Sequence, residues 1–121
     1  MEAGATVWSR VFQLVQGKVS VLTTQISDDS DHLRVTLEGE IDAETRGLLD
    51  EAVACFEPGR HRRIELDLSA VTFVDSSGIG SLVEARRVAD AAGAQILLVE
   101  PSHPVVRVLT LVGLDGYFAL A

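Results

Sequence analysis

The sequence predicts an α/β fold in which a mixed β-sheet carries its helices mainly on one face. Segments that alternate apolar and polar residues, as half-buried strands do, take turns with segments whose apolar residues recur every three or four positions. The predicted order is β-β-α-β-α-β-α, and the C-terminal tail allows one more short strand. Because β-α-β units need parallel neighbours with right-handed crossovers, while the first two strands form an antiparallel hairpin, the sheet is mixed.

Turn and capping residues delimit these elements. From the N-terminus we predict strands at 19–27 and 32–42 around the polar turn 28–31, a helix at 43–56, a strand at 62–69, a helix that ends at about 92, a strand at 94–100 and a helix at 105–113. Asp42 is the expected cap of the first helix, and Gly93 is the expected stop of the second. In the third strand Ile64 and Leu66 face inward, and the alternation predicts one lightly covered sheet face.

Residues 1–18 stand apart as an N-terminal extension. Val7, Trp8, Val11, Phe12 and Val15 have a helical spacing, and a glycine follows as a stop. The segment could therefore be an extra helix packed on the domain, a partner-binding helix, or a frayed tail, and we favour packing or fraying.

Length and composition bound the function. At 121 residues and 47% hydrophobic, the chain suits one soluble domain, and no apolar run reaches the roughly 20 residues that span a membrane. The net charge of −8 argues against nucleic acid, which needs a basic footprint. The N-terminus lacks the pattern of a secretory signal, and the single Cys55, expected to be buried, suits a reducing compartment. We therefore expect a cytoplasmic protein.

The stretch VTFVDSSGIGSL, residues 71–82, is the candidate site. Its apolar start reads as the end of a buried strand, and a helix follows. It lacks the G-x-S-x-G order of a serine hydrolase, and His32, His61 and His103 show no metal-ligand pairing. His103 could share a sheet edge with Ser76, but nothing points to a catalytic triad. The stretch also lacks both phosphate-binding glycine patterns and their lysine. We expect no enzyme, no metal and no cofactor.

Chemistry alone does not decide between two interpretations of this stretch, a helix cap and a phosphorylation site. Asp75 or Ser76 can cap the helix, with the glycines allowing close backbone approach. Alternatively, a serine exposed on the first helical turn can accept a phosphoryl group, which the helix dipole tolerates. Phosphorylation would then change the surface charge by about −1.5 to −2 and leave the fold intact. A reversible interaction module would need that separation of stability from binding.

Two segments in order resemble one family. VTFVDSSGIGSL resembles the phosphorylation segment of the anti-sigma factor antagonists, bacterial members of the STAS domain family. VTLEGEIDAET, residues 35–45, resembles the signature near their start, and AGAQILLVEPS and VLTLVGLDGYFAL also follow the pattern. The resemblance covers about residues 20–121, so we divide the chain into the extension, 1–18, and a STAS domain, 19–121.

The resemblance implies a protein ligand without catalysis of its own. It would bind an anti-sigma factor that is also a serine kinase, free the sigma factor, lose affinity when phosphorylated, and be reset by a serine phosphatase. Ser76 would be the acceptor, Asp75 would position it and contact the partner, and Ser77 would order the turn. Gly78 and Gly80 would let the kinase approach closely. The matching residues of the second segment, expected near the same partner-binding surface, are Gly39, Glu40 and Asp42.

The same family leaves an alternative open. Related STAS domains sit in stress-signalling assemblies or in lipid and anion transport systems, and the short motif does not separate these uses. In a transport complex the same surface would grip an ATPase, and Ser76 would be structural. The intact Asp75-Ser76-Ser77 run favours a domain that still switches.

Overall fold

A computed structural model describes residues 5–15 and 18–121, with side chains from Val21 onward. The elements in chain order are β1 (Ala5–Val15), β2 (Lys18–Asp29), β3 (His32–Ile41), α1 (Arg46–Val53), β4 (Arg63–Val74), α2 (Ser76–Ala91), β5 (Gln95–Val99), α3 (His103–Leu111) and β6 (Ala119–Leu120). One sheet contains all six strands in sequential order. β1–β2 and β2–β3 pair antiparallel, whereas β3–β4, β4–β5 and β5–β6 pair parallel. The predicted mixed α/β sheet is confirmed.

The first strand corrects the expected N-terminal helix. Residues 5–15 pair along their whole length with β2, from Ala5 opposite Asp28 to Val15 opposite Lys18. Val7, Val11 and Val15 are four residues apart, and this spacing fits one face of a strand as well as one face of a helix. The segment forms a strand because its backbone hydrogen-bonds along the edge of β2, and this pairing outweighs the helical spacing of its apolar residues. The helix prediction is wrong.

The core lies between the sheet and the helices. Alternate residues of β3, β4 and β5 face it and are buried, together with the inner faces of all three helices. Its largest fully buried side chains are Leu22, Leu33, Leu37, Ile41, Leu49, Ile64, Leu66, Leu68, Leu82 and Leu98. This apolar layer holds the C-terminal end of β4 and the start of α2 in fixed positions.

The opposite sheet face is polar and lightly covered, as the alternation predicts. Arg34 on β3 reaches across to β4, where its Nη1 lies 2.7 Å from Glu65 Oε1 and its Nη2 lies 3.0 Å from Asp67 Oδ2. These side chains are partly exposed. A face with charged side chains is exposed to solvent, which is consistent with helices that cover the other face of the sheet. No helix in the described part of the chain is long and apolar enough to cross a membrane.

Helix boundaries differ from the expected ones at α1 and agree at α2. α1 ends at Val53, so Cys55 follows it and is exposed, not buried as expected. At the other boundary Gly93 adopts φ +69 and its N–H donates to Asp90 O at 3.1 Å, the expected glycine stop.

A polar cluster ties the loop before β4 to the β2–β3 hairpin. Arg60 Nη2 donates to Asp28 Oδ2 at 2.6 Å, and His61 Nε2 lies 2.9 Å from Asp28 Oδ1. His61 is buried, and its Nδ1 accepts from the Glu57 N–H at 2.8 Å. The hydrogen bonds from Arg60 and then His61 lower the pKa of the Asp28 carboxyl. This cluster lies at the N-terminal ends of β3 and β4, away from Ser76.

Candidate functional site

Asp75 caps the helix that carries the candidate serine. β4 ends at Val74, and Asp75 then takes an extended conformation, with φ −113 and ψ −171. Its Oδ1 accepts the N–H of Gly78 at 3.1 Å, and its carbonyl oxygen accepts the N–H of Ile79 at 2.9 Å. One side chain therefore satisfies the cap, and the carboxylate lies at the positive end of the helix dipole.

Ser76 is left without a capping role. It is the first residue of α2 and is exposed, whereas Ser77 beside it is only half-exposed. No hydrogen bond of the Ser76 hydroxyl occurs within the described part of the chain. The hydroxyl therefore faces solvent on a backbone that Asp75 holds in place.

The two glycines of the site differ in their surroundings. A Cβ on Gly78 would lie 2.7 Å from Ile41 O and 2.7 Å from Val74 Cγ2, so this glycine is packed against the ends of β3 and β4. A Cβ on Gly80 would meet nothing within 4 Å. Gly78 is buried, so the expected role in letting a kinase approach does not suit it; Gly80 remains open to that role.

The structure brings the second predicted segment to the same sheet edge. In the parallel register Glu40 pairs with Phe73 and Ile41 with Val74, and the Asp75 N–H donates to Ile41 O at 3.3 Å. Gly39 precedes them at a shift in the register, with φ +116.

Gly39 is fixed by close backbone contact. A Cβ there would overlap the carbonyl oxygen of Val21 on β2, and its positive φ disfavours any other residue. The glycine thus lets β3 stay paired with β2 and β4 at the point where β4 carries an extra residue in the register. Glu40, next in the chain, is half-exposed beside the candidate site.

Asp42 organises the turn between β3 and α1. Its Oδ1 accepts the N–H groups of Glu44 at 3.0 Å and Thr45 at 3.1 Å, and its own N–H donates to Thr45 Oγ1 at 3.0 Å. The Thr45 hydroxyl donates to Glu40 O at 2.7 Å. Asp42 is only 8% exposed, so its carboxylate shapes the chain more than it offers a contact to a partner. The α-helix begins after this turn, at Arg46, and not at 43 as expected.

Sequence reasoning missed one exposed aromatic residue. Val71 and Val74 are buried as expected, but Phe73 between them is 47% exposed. Register shifts between Thr36 and Glu38 and between Gly39 and Glu40 break the strict alternation of this strand pair. Both shifts place an extra residue in β4, the strand of Phe73 itself, and the sequence signal for them was Gly39 in the facing strand.

His103 does not join the serines. It is exposed at the start of α3, which is held to β4 by Ser102, whose N–H donates to Leu68 O at 3.2 Å and whose Oγ donates to Val71 O at 2.6 Å. The structure shows no hydrogen bond between His103 and Ser76 among residues 21–121.

Comparisons with known proteins place these features in a family. Residues 24–120 match the family described as Mlab, STAS domain. An anti-sigma-B factor antagonist of Listeria monocytogenes is 29% identical over 87 residues, 72% of this chain and 76% of that protein.

Solved structures show the same architecture. An anti-sigma factor antagonist from Mycobacterium paratuberculosis superposes with a TM-score of 0.70 and 29% identity over 82% of this chain and 84% of that one. The unphosphorylated anti-sigma factor antagonist SpoIIAA gives a TM-score of 0.63 and 24% identity over 81% of this chain and 87% of that one, which supports the fold alone. With the family match extending over most of the residues that build the sheet, the helices and the candidate site, the chain belongs to the STAS domain family.

Proposed function

We propose that this protein is a cytoplasmic anti-sigma factor antagonist, not an enzyme, that binds an anti-sigma factor serine kinase, frees the sigma factor and is switched off by phosphorylation at Ser76. One observation carries the proposal: Asp75 caps α2, so the exposed Ser76 hydroxyl has no structural duty. The similarity to anti-sigma factor antagonists supports the same conclusion.

The phosphoryl step uses only the exposed hydroxyl of this chain. In the complex, Ser76 Oγ would bond to the γ-phosphorus of ATP, the bond to the ADP oxygen would break, and a base on the kinase would take the serine proton. A serine phosphatase would hydrolyse the ester and reset the protein. Ser76 is exposed, so a kinase reaches it without unfolding the helix.

The backbone around Ser76 is suited to a change of charge without a change of fold. Asp75 bonds to Gly78 N, and Gly78 packs against Ile41, so the first turn of α2 is held by contacts that do not include the Ser76 side chain. A phosphate on the first turn is also favoured by the helix dipole. Phosphorylation would therefore act on the partner and leave the fold unchanged.

The surrounding surface gives the added charge its effect. Segments 37–45 and 69–80 contain no lysine or arginine, and four of their five acids, Glu38, Glu40, Glu44 and Asp75, reach the surface, whereas Asp42 is buried. A phosphate would thus find no cation of these segments to pair with and would add about −1.5 to −2 charges to an acidic surface. A partner fitted to the unmodified surface would lose affinity through repulsion and the cost of burying the phosphate.

The predicted partner-binding residues fall into two groups, those that reach the surface and those that are buried. Ser76 and Gly80 are exposed, and Gly39, Glu40, Asp75 and Ser77 are half-exposed. These residues would form the contact surface. Gly78 and Asp42 are buried and would hold its two segments together.

A phosphorylation assay tests the proposal. The wild-type chain is incubated with a kinase-type anti-sigma factor from the same genome and ATP, and the modified residue is mapped by mass spectrometry. We expect one phosphoryl group on Ser76, none on Ser76→Ala, and normal modification of Ser77→Ala, the matched neighbour. Modification at another residue, or equal modification of Ser76→Ala, would show that the site is wrong. Failure to bind any such kinase, with capture of a transporter ATPase instead, would favour the transport alternative.

A further inference from the structure

Phe73 is an apolar side chain without an obvious structural role. It lies two residues before Asp75 and three before Ser76, and it is 47% exposed, whereas its neighbours Val71 and Val74 are 2% and 3% exposed. Phe73 is not among the residues of the buried core.

The position of Phe73 on the sheet connects it to both site segments. It pairs with Glu40 of β3 in the parallel register, on a strand that continues directly into the cap of α2. Thr72 beside it is exposed, and its hydroxyl donates to Gly39 O at 3.3 Å. The ring is therefore carried on paired backbone, and a partner would meet it in a fixed place.

The charges around the ring limit what could cover it. Farther along β4, the outward Glu65 forms ion pairs with Arg34 and Arg63, and Asp67 forms one with Arg34. The acids nearest to Phe73 in the strand register are unpaired among residues 21–121: Glu38 is exposed, Glu40 is half-exposed, and neither forms an ion pair there. An apolar ring beside unpaired acids fits a surface with an apolar pocket and a basic rim.

We propose that Phe73 is the apolar anchor through which this protein binds its anti-sigma factor, in an apolar pocket bordered by lysine or arginine that faces Glu38 and Glu40. The proposal rests on the proposed function and adds a residue and a partner chemistry to it. Aromatic anchors in desolvated pockets provide most of the affinity in many interfaces, with charges on the rim guiding association.

The anchor and the serine have separate roles. Phe73 provides affinity that does not depend on ATP, and Ser76 accepts the charge that ends the complex. Loss of the ring removes binding that the kinase uses equally in the ground state and the transition state, so KM for this protein rises while kcat stays the same.

The test compares Phe73→Ala with Leu111→Ala. Leu111 is 74% exposed and ends α3, whereas the start of that helix contacts β4 through Ser102. It therefore controls for the loss of an exposed apolar side chain at the end of α3 opposite to its contact with β4. Phe73→Thr provides a second variant that removes the ring and keeps a strand-favouring residue. Thermal denaturation confirms folding of each variant.

We expect both Phe73 variants to raise Kd for the kinase-type anti-sigma factor, measured by calorimetry with a non-hydrolysable ATP analogue, by about tenfold or more. KM rises in parallel with unchanged kcat, and Leu111→Ala stays at the wild-type values. Added salt also raises the Kd of the wild-type protein, because it screens the attraction between the acids beside Phe73 and the basic rim of the pocket. Phe73 variants with wild-type Kd and KM would overturn the anchor while Ser76 phosphorylation, measured on the same samples, still supports the function. A wild-type chain that neither binds nor is phosphorylated would overturn both.

Discussion

Gly78 and Gly80 offer the sharpest test of how the candidate site is built. They lie two residues apart in α2, and each is changed to alanine. A Cβ at 78 would sit 2.7 Å from Ile41 O, 2.7 Å from Val74 Cγ2 and 2.9 Å from Ile41 Cγ2, and a carbonyl oxygen on a paired strand has little room to move. A Cβ at 80 would meet no atom within 4 Å.

The two alanines should therefore act in opposite directions. Overpacking at 78 should lower the free energy of unfolding by about 1–3 kcal/mol, even though alanine is the better helix former. Alanine at 80 gains helix propensity at no steric cost and should raise the free energy of unfolding by up to about 1 kcal/mol. Urea denaturation followed by circular dichroism measures both values. If Gly78→Ala were as stable as Gly80→Ala, the close approach of α2 to the end of β3 would be refuted.

Three further changes test other parts of the fold and the cap. Gly39→Ala should lower the free energy of unfolding more than Gly47→Ala, because position 39 combines φ +116 with an overlapping backbone atom of β2; chemical denaturation compares them, and equal values would contradict this close approach of β3 to β2. The lowered pKa of Asp28, hydrogen-bonded by Arg60, means that its stabilisation is complete above the unfolded carboxyl pKa of about 3.9 and is lost as pH falls through the lower folded pKa. Unfolding measured from pH 7 down to pH 3 should therefore show a weaker acid dependence in Asp28→Asn, and identical profiles would exclude this role. Asp75→Ala should cost about 0.5–2 kcal/mol through loss of the cap, whereas Asp75→Ser should retain most of it; equal loss in both would show that the carboxylate is needed for more than capping.

Periodicity and turn chemistry were sufficient for most of the fold. Alternation in β3 and β4 and the apolar stripe of α2 predict the right elements because burial on one face imposes the same period on sequence and structure. The N-terminal strand was missed because an even spacing of valines suits both a helix and a strand. Only the edge of β2, which is distant in sequence from residues 5–9, distinguishes them.

The sequence predicted where the candidate site lies but not which role each of its residues has. A strand that ends beside a helix start brings Asp75 and Ser76 to the sheet edge, and parallel pairing brings Glu40 there too. Which of two adjacent residues caps the helix depends on backbone angles that the sequence does not display. The exposure of Phe73 depends on extra residues in its own strand, β4, which shift the register against β3 and which only the paired structure reveals.

The most direct test of the central claim is the affinity of the anti-sigma factor for the protein before and after phosphorylation at Ser76. We expect Kd to rise by about tenfold or more on phosphorylation, while the denaturation midpoint and the amide NMR spectrum outside the first turn of α2 stay the same. Ser76→Asp should show part of the loss, and Ser77→Asp, one residue farther on, should show less. Equal affinity for the modified and unmodified forms, or loss of the fold on phosphorylation, would contradict the claim that Ser76 is a charge switch on an unchanged scaffold.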